Sequence, residues 1–127
     1  MEASGSRNAY LFWFGCLPAR FAIAATALLT GCWRTSLLPV VGLYAAATSA
    51  GFLTNVVRTV VGTKERGGFG GVVWWARARV VHMAAWALAA YAAFASTLPW
   101  SAGTVLLVDA FLGALFGVLH FTLGWRL

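Results

Sequence analysis

Charge is what this chain has least of. Nine of its 127 residues are Lys or Arg and three are Asp or Glu, so 9% of the chain is charged, against roughly 25% in an ordinary soluble domain. With 61% of residues hydrophobic, too little polar surface remains to keep a small globule in water, which excludes a soluble fold. Cysteine is scarce as well: Cys16 and Cys32 stand about 24 Å apart on one expected helix at 1.5 Å per residue. A disulfide needs Cα atoms within about 7 Å, so the two do not bridge within that helix, and the redox compartment stays open. Ten-residue segments of alternating apolar and polar residues, the mark of a membrane β-barrel, are missing. So are CxxC and HExxH motifs and any nucleophile, base and orienter set.

Long apolar runs are what the sequence has in quantity. Residues 10–32, 37–57, 73–98 and 103–125 are each continuously apolar and alanine-rich, and each suffices for a ~30 Å hydrocarbon layer, which takes about 20 helical residues. A helix satisfies its backbone hydrogen bonds within one segment, as lipid demands. The fold expected is all-α: an integral membrane four-helix bundle forming one transmembrane domain over residues 1–127. The net charge of +6 is placed for a membrane and not for nucleic acid. With four crossings, Arg7, Arg58, Lys64, Arg66, Arg77, Arg79 and Arg126 share one side and Arg34 alone takes the other. That asymmetry puts both termini on the cytoplasmic side. Membrane lipids are the first expected partners, each cation near anionic head groups contributing on the order of 1 kcal/mol. Arg20 interrupts the apolar run that follows Arg7, so the first segment reads as a span and not as a cleaved signal.

Residues three or four apart on a helix share a face, which lets each span be asked where its polar groups point. The third span aligns Trp75, Arg79, His82, Trp86, Ala89 and Ala93, with Arg77 opposite and free to snorkel to head groups. The fourth aligns Asp109, Gly113, Gly117, His120 and Gly124, including a GxxxG that permits close helix approach. Tyr44, Thr48, Gly51, Asn55 and Thr59 form the second stripe, with Arg58 beside it, and Trp13, Cys16, Arg20, Ala24, Ala27 and Gly31 form the first. All four stripes are expected to face inward.

Arg20 falls near mid-membrane, where an unpaired charge costs about 2.5–3.5 kcal/mol on insertion scales. Asp109, the only acid within the spans, is its candidate partner. That pair reads equally as a structural clasp or as a transport element. His82 and His120 read first as packing histidines, then as ligand or proton-handling groups, then as haem ligands; no cofactor is otherwise expected, and no metal. The run Gly67-Gly68-Phe69-Gly70-Gly71 is a loop, since no strand precedes it and no Lys-Ser or Lys-Thr follows. Pro18 is expected to loosen the turns before Arg20.

The stretches FGGVVWWARARVVH (residues 69–82) and FGCLPAR (residues 14–20) resemble uncharacterised small four-span membrane proteins of unicellular algae and large DNA viruses. The resemblance covers the two motifs and the span layout. It implies that Arg20, Trp75, Arg79 and His82 belong together, and it implies no activity.

The functional expectation is a membrane protein with an inward cationic cavity that binds or passes an anionic group, whether a small anion, a carboxylate or a lipid phosphate. Arg20, Arg58, Arg79, His82 and His120 supply attraction, Trp75 lines the mouth, Asn55 orients, and Asp109 is an exchangeable counter-charge. Arginine suits the task because its planar fork grips oxyanions by two bonds. Self-association is expected through the GxxxG and the row Gly42, Ala46, Ala50, or else membrane partner subunits. The alternatives are a redox or lipid-modifying subunit using His82 and His120, and a structural or assembly subunit of a larger membrane complex.

Overall fold

The computed structural model describes residues 2–62, 77–95 and 98–124, with side chains from Arg7 onward. Every regular element among them is helical: α1 (Glu2–Leu11), a π-helical turn (Phe12–Cys16), α2 (Leu17–Trp33), a short 3₁₀ turn (Thr35–Leu37), α3 (Leu38–Val60), α4 (Ala78–Ala95) and α5 (Ser101–Leu123). Four continuous stretches, Arg7–Trp33, Thr35–Val60, Ala78–Ala95 and Ser101–Leu123, are long and apolar enough to cross a membrane.

Local chemistry sets the breaks. Pro18 has no N–H to give the carbonyl four residues earlier, and its ring crowds that carbonyl. The chain widens instead into the π-helical turn, with the Leu17 N–H donating to the Phe12 carbonyl five residues back. Pro39 lies in the first turn of α3, where a missing N–H costs nothing. Gly124 closes α5 with φ of 69°, and its N–H donates to the carbonyls of His120 and Leu119.

The helices do not enclose a centre equally. α4 and α5 pack on each other in the middle, α2 lies along α5, α3 lies along α4, and α2 and α3 meet only sparsely. The core is made of small residues around one large ring: Ala24, Ala27, Ala45, Ala89, Ala90 and Leu106 surround Trp86. Small side chains let backbones approach closely, which is how helices gain packing energy where lipid removes the hydrophobic drive. At Gly31 the fit is tightest, since a methyl group there would collide with the Pro99 carbonyl, and one at Gly103 would collide with the Leu28 backbone. Large apolar side chains such as Leu29, Val40, Leu43, Leu88, Phe111 and Leu115 point outward, as lipid-facing positions require.

The inward stripe expected for the second span is corrected at Tyr44 and Gly51, while Thr59 of that stripe does meet α4, where Arg79 donates to it. α3 buries Leu38, Gly42, Ala45 and Ser49, while Tyr44 is 53% exposed and Gly51 meets nothing within 4 Å. Polarity misleads on this helix because its polar groups satisfy themselves. Thr48 donates to the Tyr44 carbonyl and Thr54 to that of Ala50, so these hydroxyls need no partner helix. What must face inward is what permits close contact: Gly42 lies under the Phe94 ring, and Ser49 donates to the Met83 carbonyl at 3.0 Å. Gly42 is therefore taken by packing within the chain, and only Ala46 and Ala50 of that row are exposed.

Candidate functional site

α4 sets Arg79, His82 and Trp86 on one stripe, at 2%, 3% and 4% exposure, and α5 sets Asp109 opposite them at 1%. The carboxylate is divided between two donors. His82 Nδ1 lies 2.5 Å from Oδ1, and the Trp86 indole N–H donates to Oδ2 at 3.0 Å. Arg20 enters from α2, with Nη1 3.4 Å from Asp109 Oδ2 and 3.1 Å and 3.4 Å from His82 Nδ1 and Nε2. A ring nitrogen that donates to Asp109 has no lone pair for arginine. The arrangement therefore assigns the proton to Nδ1 and leaves Nε2 to accept from Arg20.

The surroundings are aromatic. Phe52 and Phe116 flank the His82 ring at centroid distances of 5.9 Å and 6.0 Å, and the Arg20 guanidinium carbon lies 5.8 Å from the Phe52 centroid. Gly113 leaves the space that the guanidinium fills, since a Cβ there would stand 3.0 Å from Arg20 Nη1 and 3.8 Å from His82 Cε1. Gly117, the second glycine of the GxxxG, receives the Phe12 ring, which the π-helical turn aims at it. This corrects the reading of the GxxxG as a surface between copies: both glycines are buried against the first span of the same chain.

One turn from His82, Arg79 donates from Nη1 to Thr59 Oγ1 at 3.2 Å, and Thr59 donates onward to the Asn55 carbonyl at 2.8 Å. Two groups of polar contacts thus lie along α4, one at Arg79 and one at His82 and Trp86. Beyond Trp86 the buried residues of α4 are Ala89, Ala90 and Ala93.

The residues singled out from the sequence separate into groups. Arg20, His82 and Asp109 come together, with Arg79 a turn away. Asn55 turns its amide onto its own helix, and Arg58 is exposed near the end of α3. His120 stands seven residues beyond Gly113, about 10 Å along the axis, beside Phe121 at 4.9 Å. Trp75 lies outside the described residues. Two contributors were not named as site residues: Trp86, a direct donor to the carboxylate, and Gly113. Trp86 had a signal in its spacing, four residues beyond His82 on the same stripe, because a buried indole N–H finds a partner.

Comparison with family models, curated proteins and solved structures returns no match.

Proposed function

We propose that this chain is an integral membrane protein that holds an anionic group at Arg20, with His82 and Asp109 as the supporting pair. One observation carries the reading. The Arg20 side chain is nine-tenths buried, at 10% exposure, yet only Nη1 contacts a polar partner. An arginine serving only to neutralise Asp109 would turn two parallel donors onto both carboxylate oxygens. Here those oxygens accept from His82 and Trp86, and Arg20 keeps its Nε and Nη2 edge for something else.

Holding fits better than passing. Polar groups lead to Asp109 from the end that carries Arg58 and Arg79, and the far half of α4 buries only alanines beyond Trp86. The cation asymmetry supports putting that polar end, with both termini, on the cytoplasmic side. The test is mass spectrometry of what copurifies in mild detergent. An acidic molecule retained by the wild type and by Arg77→Gln, and lost from Arg20→Gln, supports the reading. Equal retention by all three defeats it.

A second reading, a structural or assembly subunit of a larger membrane complex, is favoured by the completeness of Asp109's own bonding, which pins α2, α4 and α5 together. The redox or lipid-modifying reading draws no support from the geometry. A haem between His82 and His120 needs them at one depth, and His120 stands about 10 Å along α5 from Gly113, which meets the His82 ring.

A further inference from the structure

We infer that Trp86 is the residue that keeps the Arg20 site open: its indole N–H occupies Asp109 Oδ2 and so prevents the guanidinium from closing onto the carboxylate. The inference rests on the reading of Arg20 as an oxyanion site and names the positioning residue on which that site depends.

The contacts at Asp109 stand in an order that charge alone does not give. The carboxylate is 1% exposed, and Arg20 brings a full positive charge to it. A guanidinium and a carboxylate left to themselves close to about 2.7–2.9 Å, frequently through two parallel bonds. Here the ion pair spans 3.4 Å, from Nη1 to Oδ2, and among the described residues no hydrogen bond joins the two groups. The hydrogen bonds of Arg20 go to the His82 ring. Both carboxylate oxygens are held instead by ring N–H donors of α4, Oδ1 by His82 and Oδ2 by Trp86.

Of these two donors, Trp86 is the one that stands in the way of Arg20. His82 holds the other oxygen and is itself bonded to Arg20. Trp86 holds Oδ2, the oxygen that the guanidinium approaches. Its ring is 4% exposed among the core alanines, with the Tyr44 ring edge-on at 5.9 Å, so the indole cannot turn its N–H elsewhere without breaking the core. Its hydrogen bond is to Asp109 and its ring contact to Tyr44, and it reaches Arg20 only through the carboxylate.

Without the indole N–H, Oδ2 is a buried acceptor with one donor fewer, and buried acceptors are seldom left unsatisfied. The donors at hand are those of Arg20. Among the described residues no hydrogen bond uses its Nε or Nη2, and a shift of roughly half an ångström turns the 3.4 Å contact into a charge-assisted bond. The guanidinium then sets two donors on Asp109, and the edge that would grip another oxyanion is taken. Trp86 thus decides between two states of one pair, an open one in which Arg20 can hold a ligand and a closed clasp.

Solid-state NMR of the full chain in lipid bilayers tests this, because Asp109 is the only aspartate in the sequence. With aspartate labelled at the carboxyl carbon and arginine at the guanidinium nitrogens, dephasing of one carboxyl signal reports its arginine contacts, and the part abolished by Arg20→Gln belongs to Arg20. In Trp86→Phe that part should rise at least about twofold in initial rate, as one distant nitrogen becomes two close ones. The benzothiophene analogue of tryptophan at residue 86 keeps the ring shape and lacks only the N–H, so it should give the same rise free of any packing defect. Arg77→Gln should leave the rate unchanged. Mass spectrometry of the same preparations should find the acidic molecule retained by wild type and by Arg77→Gln depleted at least about tenfold with either replacement of Trp86, as loss of a two-donor grip implies. Dephasing that is unchanged or slower in the analogue overturns the inference, as does wild-type retention of the acid by the analogue. Either result leaves the reading of Arg20 standing where Arg20→Gln loses the acid. Retention of the acid by Arg20→Gln removes both.

Discussion

Trp86 and His82, one turn apart on α4, each take one oxygen of Asp109, the indole N–H at 3.0 Å on Oδ2 and the imidazole at 2.5 Å on Oδ1. A single helix face thereby orients the only acid of the membrane segments, and Arg20 meets a carboxylate already fixed in direction. The order matters for energy: the charge pair sits in a frame of neutral donors, so each member has a separable part.

Removing one charge of the pair should cost far more than removing both. Asp109→Asn strands the Arg20 charge at mid-depth, and breaking a buried pair on one side costs about 3–5 kcal/mol. Arg20→Met combined with Asp109→Asn leaves no charge behind and should recover most of that loss. Thermal unfolding in detergent of the two singles and the double measures the coupling. Additive losses would mean that the 3.4 Å contact carries no energy.

The indole N–H is separable from the ring that bears it. Trp86→Phe keeps an aromatic body in the alanine core and deletes one interhelical hydrogen bond, a loss of about 0.6–2 kcal/mol. Trp86→Ala also opens a cavity, and its cost should reach about 3–5 kcal/mol. Equal losses in the two variants would show that the hydrogen bond, and not the packing, holds this position.

Gly117 and Phe12 form a matched pair. A side chain at Gly117 collides with the Phe12 ring, so Gly117→Val should destabilise by about 1–3 kcal/mol through overpacking. Phe12→Ala in the same chain should restore part of it. Cross-linking yield in lipid should be unchanged by Gly117→Val, since this glycine serves contact within one chain. A fall in cross-linked dimer with no change in stability would return the GxxxG to a surface between copies.

Much of this was legible in the residues because polar groups are so rare. On α4 the spacing of Arg79, His82 and Trp86 identifies the buried face outright, and on α5 the line of Asp109, Gly113 and Gly117 does the same. The convergence of Arg20 on Asp109 followed from there being only one acid within reach. Other features were hidden for physical reasons. Pro18 signals a disturbed helix, but nothing in its neighbours says that a π-helical turn results or that Phe12 is thereby delivered to Gly117. Nor does composition show that α2 and α3 flank a central α4 and α5 pair, because that depends on how closely small residues let each pair approach.

The face of α3 gives the sharpest contrast, because the stripe of polar residues and the stripe of small residues lie on different sides of one helix. Thr48 and Thr54 bond their own helix, so turning them to lipid leaves no donor unsatisfied, whereas Gly42 and Ser49 have contacts on α4 that no rotation would preserve. Gly51→Leu should therefore leave stability within about 0.5 kcal/mol, as exposed substitutions do. Gly42→Leu, driven against Phe94, should cost about 1–3 kcal/mol. Single cysteines introduced into a variant lacking Cys16 and Cys32 give an independent measure of the same face. A lipid-soluble maleimide should modify Tyr44→Cys and Gly51→Cys readily and Ser49→Cys slowly. The reverse order of reactivity would turn α3 about its axis and move Phe52 away from Arg20.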